Sequence, residues 1–94
     1  MNFTQKVLEI VKKVPAGKVT TYGMIAKILK TSPRAVGQAL KRNKKLVTIP
    51  CHRVVMSNGK LGGYVNGAEA KKELLMKEGV DVNNLLKHLV KNLK

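Results

Sequence analysis

Three prolines, at positions 15, 33 and 50, cut this 94-residue chain into pieces too short for one long helix or one long central strand. Before the first, Phe3, Val7, Leu8, Ile10, Val11 and Val14 recur near helical spacing with Lys6, Lys12 and Lys13 between them. That spacing predicts an amphipathic helix, stopped by Pro15-Ala16-Gly17. The second proline follows Ser32, a hydroxyl N-cap with proline at the first helical position. The third interrupts the β-branched run LVTIPCHRVV, so two short extended pieces are expected, hinged at Pro50-Cys51.

Between the first two prolines, Thr20-Thr21-Tyr22 offers a hydroxyl cap for a helix over Tyr22 to Leu29, with Met24, Ile25, Ile28 and Leu29 inward. Lys30 and Thr31 leave only a tight link to the next helix, Pro33 to about Arg42. Its sequence, PRAVGQALKR, is small and smooth, with Arg34 near its start. Two short helices so joined form the pattern of a helix-turn-helix. Ser57-Asn58-Gly59-Lys60 reads as a hairpin turn, with Leu61 to Tyr64 extended after it. A helix over Ala68 to Glu78 is capped by Gly79, and Asp81 to about Leu93 reads as a last amphipathic helix. The fold class expected is mainly α with a small β element, a winged helix-turn-helix-like arrangement in one domain over residues 1–94.

Nineteen Lys and Arg against five Asp and Glu give a net charge of +14, which favours a polyanionic partner, nucleic acid before membrane. Phe3, Tyr22 and Tyr64 are the only aromatic residues. Such scarcity argues against a stacking platform for single strands. No apolar stretch reaches membrane-spanning length, the N-terminus does not read as a signal peptide, and a lone thiol suits a reducing, cytoplasmic setting.

Cys51 has no second cysteine to pair with, and one Cys and two His are too few for a zinc cage. Two readings stay open on the residues alone. Cys51 is a buried, inert small hydrophobe beside a structural histidine, or it is a nucleophile activated by neighbouring basic groups.

PCHRV resembles the active-site motif of the O6-alkylguanine-DNA alkyltransferases, and the likeness extends over FTQKVLEIVKKVPAGKV, TYGMIA, SPRAVGQALKRN, IPCHRVV and NGKLGGYVNGAEAKKELLMKEGV. The resemblance implies repair of double-stranded DNA by direct reversal. A monomer, bound in the minor groove, extrudes an O6-alkylguanine and moves the alkyl group once and irreversibly onto Cys51. No cofactor or metal is implied. His52 would act through a water, oriented by Glu78. Asn43 would tie the loop after the recognition helix to the active-site turn. Arg34 would enter the duplex as a finger, and Tyr22 would rotate the phosphate and hydrogen-bond the base. Ala35 and Gly37 would let the helix enter the groove. Tyr64 would line the alkyl pocket, the Val65 N–H would point at O6, and the carbonyls of Cys51 and Val54 would read the guanine amino group. Lys71 falls where the family has a lysine near the site.

Three features depart from the family pattern: the chain begins at the DNA-binding domain, Gln38 is larger than usual, and Val65 and Asn66 replace small or polar residues. The alternative within the family is an alkyltransferase-like protein that recognises the lesion without repairing it. Outside the family it is a winged-helix regulator with an incidental thiol.

Overall fold

The first helix, α1 (Phe3–Lys12), opens on a reciprocal cap. The Gln5 N–H donates to Asn2 Oδ1 at 2.8 Å, and the Asn2 N–H donates to Gln5 Oε1 at 3.0 Å, satisfying two N–H groups at the helix start. These elements belong to a computed structural model, which describes residues 1–45, 48–91 and 93. Strand β1 (Thr20–Thr21) leads straight into α2 (Tyr22–Leu29), where Thr21 Oγ1 accepts the Met24 N–H at 3.0 Å. Lys30 ends α2 in the left-handed region, φ 55°. Ser32 then caps α3 (Pro33–Lys41) by accepting the Ala35 N–H at 3.1 Å.

The inward faces of these three helices meet. Val7 and Val11 of α1, Ile25 of α2, and Val36 and Ala39 of α3 enclose one aliphatic core, which also takes in Ile49, Cys51 and Val54. Burying a side chain such as Ile25 is worth about 2 kcal/mol, and the charged outer faces cost nothing to leave in water.

After Pro50 the chain makes a short 3-10 turn, Cys51–Arg53, and then strand β2 (Val54–Val55). β2 lies parallel to β1, Thr20 opposite Val54 and Thr21 opposite Val55. Alternation along β2 sends Val54 into the main core and Val55 into a second cluster with Val19, Leu75, Val80 and Leu85. Helix α4 (Ala68–Lys77) closes that second cluster, and Gly79 follows it at φ 84°.

Two expectations are corrected. The turn at residues 57–60 forms, with the Met56 N–H on the Lys60 carbonyl at 2.9 Å, but no returning strand follows it. Gly62 sits at φ 78°, against the ring of Tyr22, where a Cβ would stand 3.2 Å from a ring carbon. That conformation breaks the pleat, so the sheet is the parallel β1–β2 pair and not a hairpin wing. The helix expected over 81–93 is reduced to one 3-10 turn, Leu85–His88. Asp81 Oδ1 accepts the Asn83 N–H and Oδ2 accepts Asn84 Nδ2–H, a local alternative to helical bonds. Beyond the turn, the backbone pairs with the residue before β1: the Val19 N–H donates to the His88 carbonyl, and the Val90 N–H to the Val19 carbonyl, both at 2.8 Å. The first extended piece expected before Pro50 falls in part on residues 46 and 47, outside the described residues.

Candidate active site and nucleic-acid interface

Pro50, at φ −80° and ψ 63°, makes a tight turn in which the Cys51 N–H reaches the Ile49 carbonyl at 2.8 Å. The following 3-10 turn removes the strand alternation that would have sent Cys51 and His52 to opposite faces. Cys51 is 5% exposed and lies at the floor of an open cleft of about 850 Å³. One wall is the outer face of α3, with Pro33, Arg34, Gly37, Gln38 and Lys41. The other is Met56 and the segment Gly62–Val65, and Tyr22 stands between them. The volume falls within the range of about 300–1,000 Å³ usual for small-ligand pockets.

Behind the floor, Asn43 Nδ2 donates to Cys51 Sγ at 3.4 Å and to the Ile49 carbonyl at 3.0 Å, while its Oδ1 accepts the Lys45 N–H. One buried amide thus links the end of α3 to the thiol. His52 is fully buried. Its Nε2 lies 3.1 Å from Glu78 Oε2, and Glu78 also accepts Arg53 Nε–H at 2.9 Å and Nη2–H at 2.5 Å. Burial pushes the Glu78 carboxyl up, but the hydrogen bonds from Arg53 and then His52 outweigh it and hold the group below its ordinary value. An ionised carboxylate only accepts, so His52 presents Nε2–H to it, and the neutral ring keeps its lone pair on Nδ1. That Nδ1 is buried and has no partner among the described residues, and the same is true of Tyr64 Oη. The Tyr64 ring meets His52 edge-on, with centroids 6.4 Å apart. Burial is the main force pushing the His52 imidazole below its usual range. Glu78 opposes that fall, while Arg53 and Lys71 add to it.

Lys71 projects from α4 with no exposure at all. Its ammonium donates to the Val54 carbonyl at 2.6 Å and to the Gly63 carbonyl at 3.1 Å, and stands 5.8 Å from the centre of the Tyr22 ring. Desolvation lowers its pKa to about 8, against a raising influence from Cys51. Burial, and then Cys51, push Tyr22 upward. The Tyr22 hydroxyl donates to the Gly63 carbonyl at 3.5 Å.

Of the residues singled out in the sequence, Tyr22, Arg34, Gly37, Cys51, Tyr64 and Val65 therefore line one cleft, while Asn43, His52, Lys71 and Glu78 back it. Ala35 is half-buried on α3 and does not line the cleft. Both carbonyls assigned to the guanine amino group already take a protein donor: the Val54 N–H on Cys51, and Lys71 on Val54. A carbonyl has two lone pairs, so each keeps one. Arg53 went unremarked in the sequence, although an arginine inside an otherwise apolar run needs a partner. Among the described residues no three metal-ligating side chains converge, and no helix is long and apolar enough to cross a membrane.

A family model described as 6-O-methylguanine DNA methyltransferase, DNA binding domain, matches residues 2–80. The chain belongs to this family.

A methylated-DNA–protein-cysteine methyltransferase of Methanocaldococcus jannaschii is 58% identical over 80 residues, covering 85% of this chain and 47% of that protein. The chain spans about half the length of the curated methyltransferases it matches. The O6-methylguanine-DNA methyltransferase crystal structure from Pyrococcus kodakaraensis superposes with a TM-score of 0.79 at 52% identity, over 85% of this chain and 47% of that one. S. pombe Atl1, solved in complex with damaged DNA containing O6-carboxymethylguanine, gives 0.82 at 33% identity, over 96% of this chain and 95% of that one. The matched residues take in helices α1 to α4, strands β1 and β2, and the Cys51 turn.

Proposed function

We propose that this chain is a DNA repair protein that binds duplex DNA through the minor groove, extrudes an O6-alkylguanine into the cleft and transfers the alkyl group to Cys51. One observation carries the reading: the single thiol lies at the floor of a base-sized cleft, between the basic outer face of α3 and a buried imidazole with a free lone pair. A reacting carbon inside a base stack is out of reach of such a thiol, so the nucleotide must leave the duplex. His52 Nδ1 takes the thiol proton through one water. The thiolate then displaces guanine O6 from the alkyl carbon, so a C–S bond forms as the C–O bond breaks. The electron pair stays on the guanine, which takes up a proton to become the ordinary base. The product thioether has no leaving group to regenerate the thiol, hence one turnover per molecule.

Incubation with duplex DNA containing O6-methylguanine should add one methyl to the peptide bearing Cys51, once per protein molecule, as read by mass spectrometry. Mutual coverage with Atl1 keeps a second reading in play, a recogniser that binds the lesion without removing it. Tight lesion binding with no mass gain would establish that reading and reject transfer.

Arg34 is exposed at the N-terminal end of α3, on the rim of the cleft. In this role it fills the gap left by the extruded nucleotide. Flipping costs a few kcal/mol, so Arg34→Ala should slow transfer from duplex DNA by about 10- to 100-fold. Transfer from the free base, which needs no flipping, should hardly change. Equal transfer from duplex DNA by both proteins would remove Arg34 from the mechanism.

A further inference from the structure

We propose that Arg53 is a positioning residue for the transfer: it neutralises Glu78, so that the carboxylate orients His52 without drawing a proton onto it. The inference rests on the transfer reading above. Its basis is the geometry of one guanidinium. Arg53 holds both oxygens of Glu78 in a fork, at 2.9 and 2.5 Å, and donates one Nη1–H to the Val14 carbonyl, just beyond α1, at 2.7 Å. A planar fork fixed at three points cannot follow a wandering carboxylate, so it sets where Glu78 stands. The same Oε2 that takes Nη2–H lies 3.1 Å from His52 Nε2.

A lone carboxylate at that distance from a fully buried imidazole would favour imidazolium. Imidazolium holds a proton on Nδ1 as well as Nε2, and so has no lone pair left for the thiol proton. Pairing the carboxylate with a guanidinium cancels its charge but leaves its oxygen as an acceptor. The charged or titratable groups facing His52 are few. Glu78 stands at the end of α4, Lys71 reaches in from the same helix, Arg53 and Cys51 flank it on its own turn, and the Tyr64 ring meets it from the glycine segment. Among the described residues only Glu78 raises the basicity of the ring. Arg53 and Lys71 oppose it, with burial the larger influence in the same direction.

The test is the pH dependence of transfer by the wild-type protein and by Arg53→Met, together with the titration of the His52 ring followed by NMR without DNA. In Arg53→Met the imidazole should titrate about one unit higher. The acid limb of the rate profile should move with it, lowering the rate up to about tenfold on that side. The alkaline plateau should change much less. Arg53→Lys, which keeps the charge and loses the fork, should return the limb towards its wild-type position. A purely structural arginine would lower the melting temperature and scale the whole profile without moving the limb, and that result overturns the proposal. Should Arg53→Met fail to fold, Glu78→Gln decides. It keeps both cations and removes the anion, so His52 should titrate at still lower pH, and an unmoved titration overturns the proposal. Absence of transfer by the wild-type protein would reject the function proposed above, while the NMR titration still judges the charge balance.

Discussion

Cys51→Ser is expected to lower transfer by more than about a thousandfold, roughly 4 kcal/mol of barrier, while lesion-containing duplex DNA still binds. The two effects separate because they rest on different atoms. Transfer needs an anionic nucleophile. A thiol reaches that state at an ordinary pKa of about 8.5, and a neighbouring base brings it within reach at neutral pH. A serine hydroxyl does not: the Asn43 amide that donates to position 51 is neutral, and the buried His52 is too weak a base to ionise an alcohol. In the proposed reading, binding depends instead on Arg34, the outer face of α3 and the lysine-rich surface, none of which the substitution touches. Asn43 can still donate to a hydroxyl oxygen, so the active-site turn should keep its tie to α3. The variant should therefore trap the lesion. Mass spectrometry of the protein and fluorescence anisotropy of labelled duplex check the two halves. Methylation of the serine variant within tenfold of the wild-type rate would point to another acceptor, and lost lesion binding would make the sulfur part of recognition.

Local rules were enough wherever the structure is local. Thr21 and Ser32-Pro33 cap α2 and α3 as their residue types demand, and the apolar spacing of Val7, Ile10 and Val11 gives α1 its inward face. The same spacing misleads over residues 82–93. Leu85, Leu89 and Leu93 suit a helix, but the edge of the backbone at Val19 competes for the segment, and Asp81 offers its neighbours a turn. That competition depends on a partner about 70 residues away in the chain, out of reach of any window. The parallel pairing of Thr20 with Val54 is invisible for the same reason. In the site, the thiol beside a histidine is written in the motif, but Asn43, Lys71 and Glu78 entered through family resemblance and not through spacing. Arg53 shows what neither route supplied. Its charge was plain in PCHRV, yet which carboxylate it would meet is decided by the approach of α4 to the Cys51 turn.

Lys71→Met should change how stability depends on pH by about 3 kcal/mol, the largest stability effect expected of a substitution near the cleft. Lys71 is fully buried, and its pKa in the folded protein is about 8, against about 10.4 for an unperturbed lysine. The sign follows from proton counting. Below about pH 8 both folded and unfolded chains carry the proton, and the folded state bears the cost of a buried ammonium. Between about pH 8 and 10.4 the unfolded chain holds a proton that the folded chain has released, so wild-type stability gains from this group as pH rises. Methionine fills similar space and does not titrate, so the variant lacks that gain. It also takes the Lys71 donor from the Val54 carbonyl, a loss of about 1–3 kcal/mol if that group is left unsatisfied, while the Gly63 carbonyl keeps the Tyr22 hydroxyl. Near neutral pH the relief of the buried charge offsets much of that loss. Relative to wild type, the variant should thus be at its best near pH 7 and fall steadily behind as pH approaches 10. Urea unfolding at several pH values checks this, with both proteins carrying Cys51→Ser so that Lys71 is the group compared. Removing Cys51 also removes the influence that raises the Lys71 pKa, which widens the window and leaves the sign unchanged. Parallel stability curves for the two proteins across that range would mean that Lys71 keeps an ordinary pKa, and that the cleft is wetter around its ammonium than the packing of α4 against β2 implies.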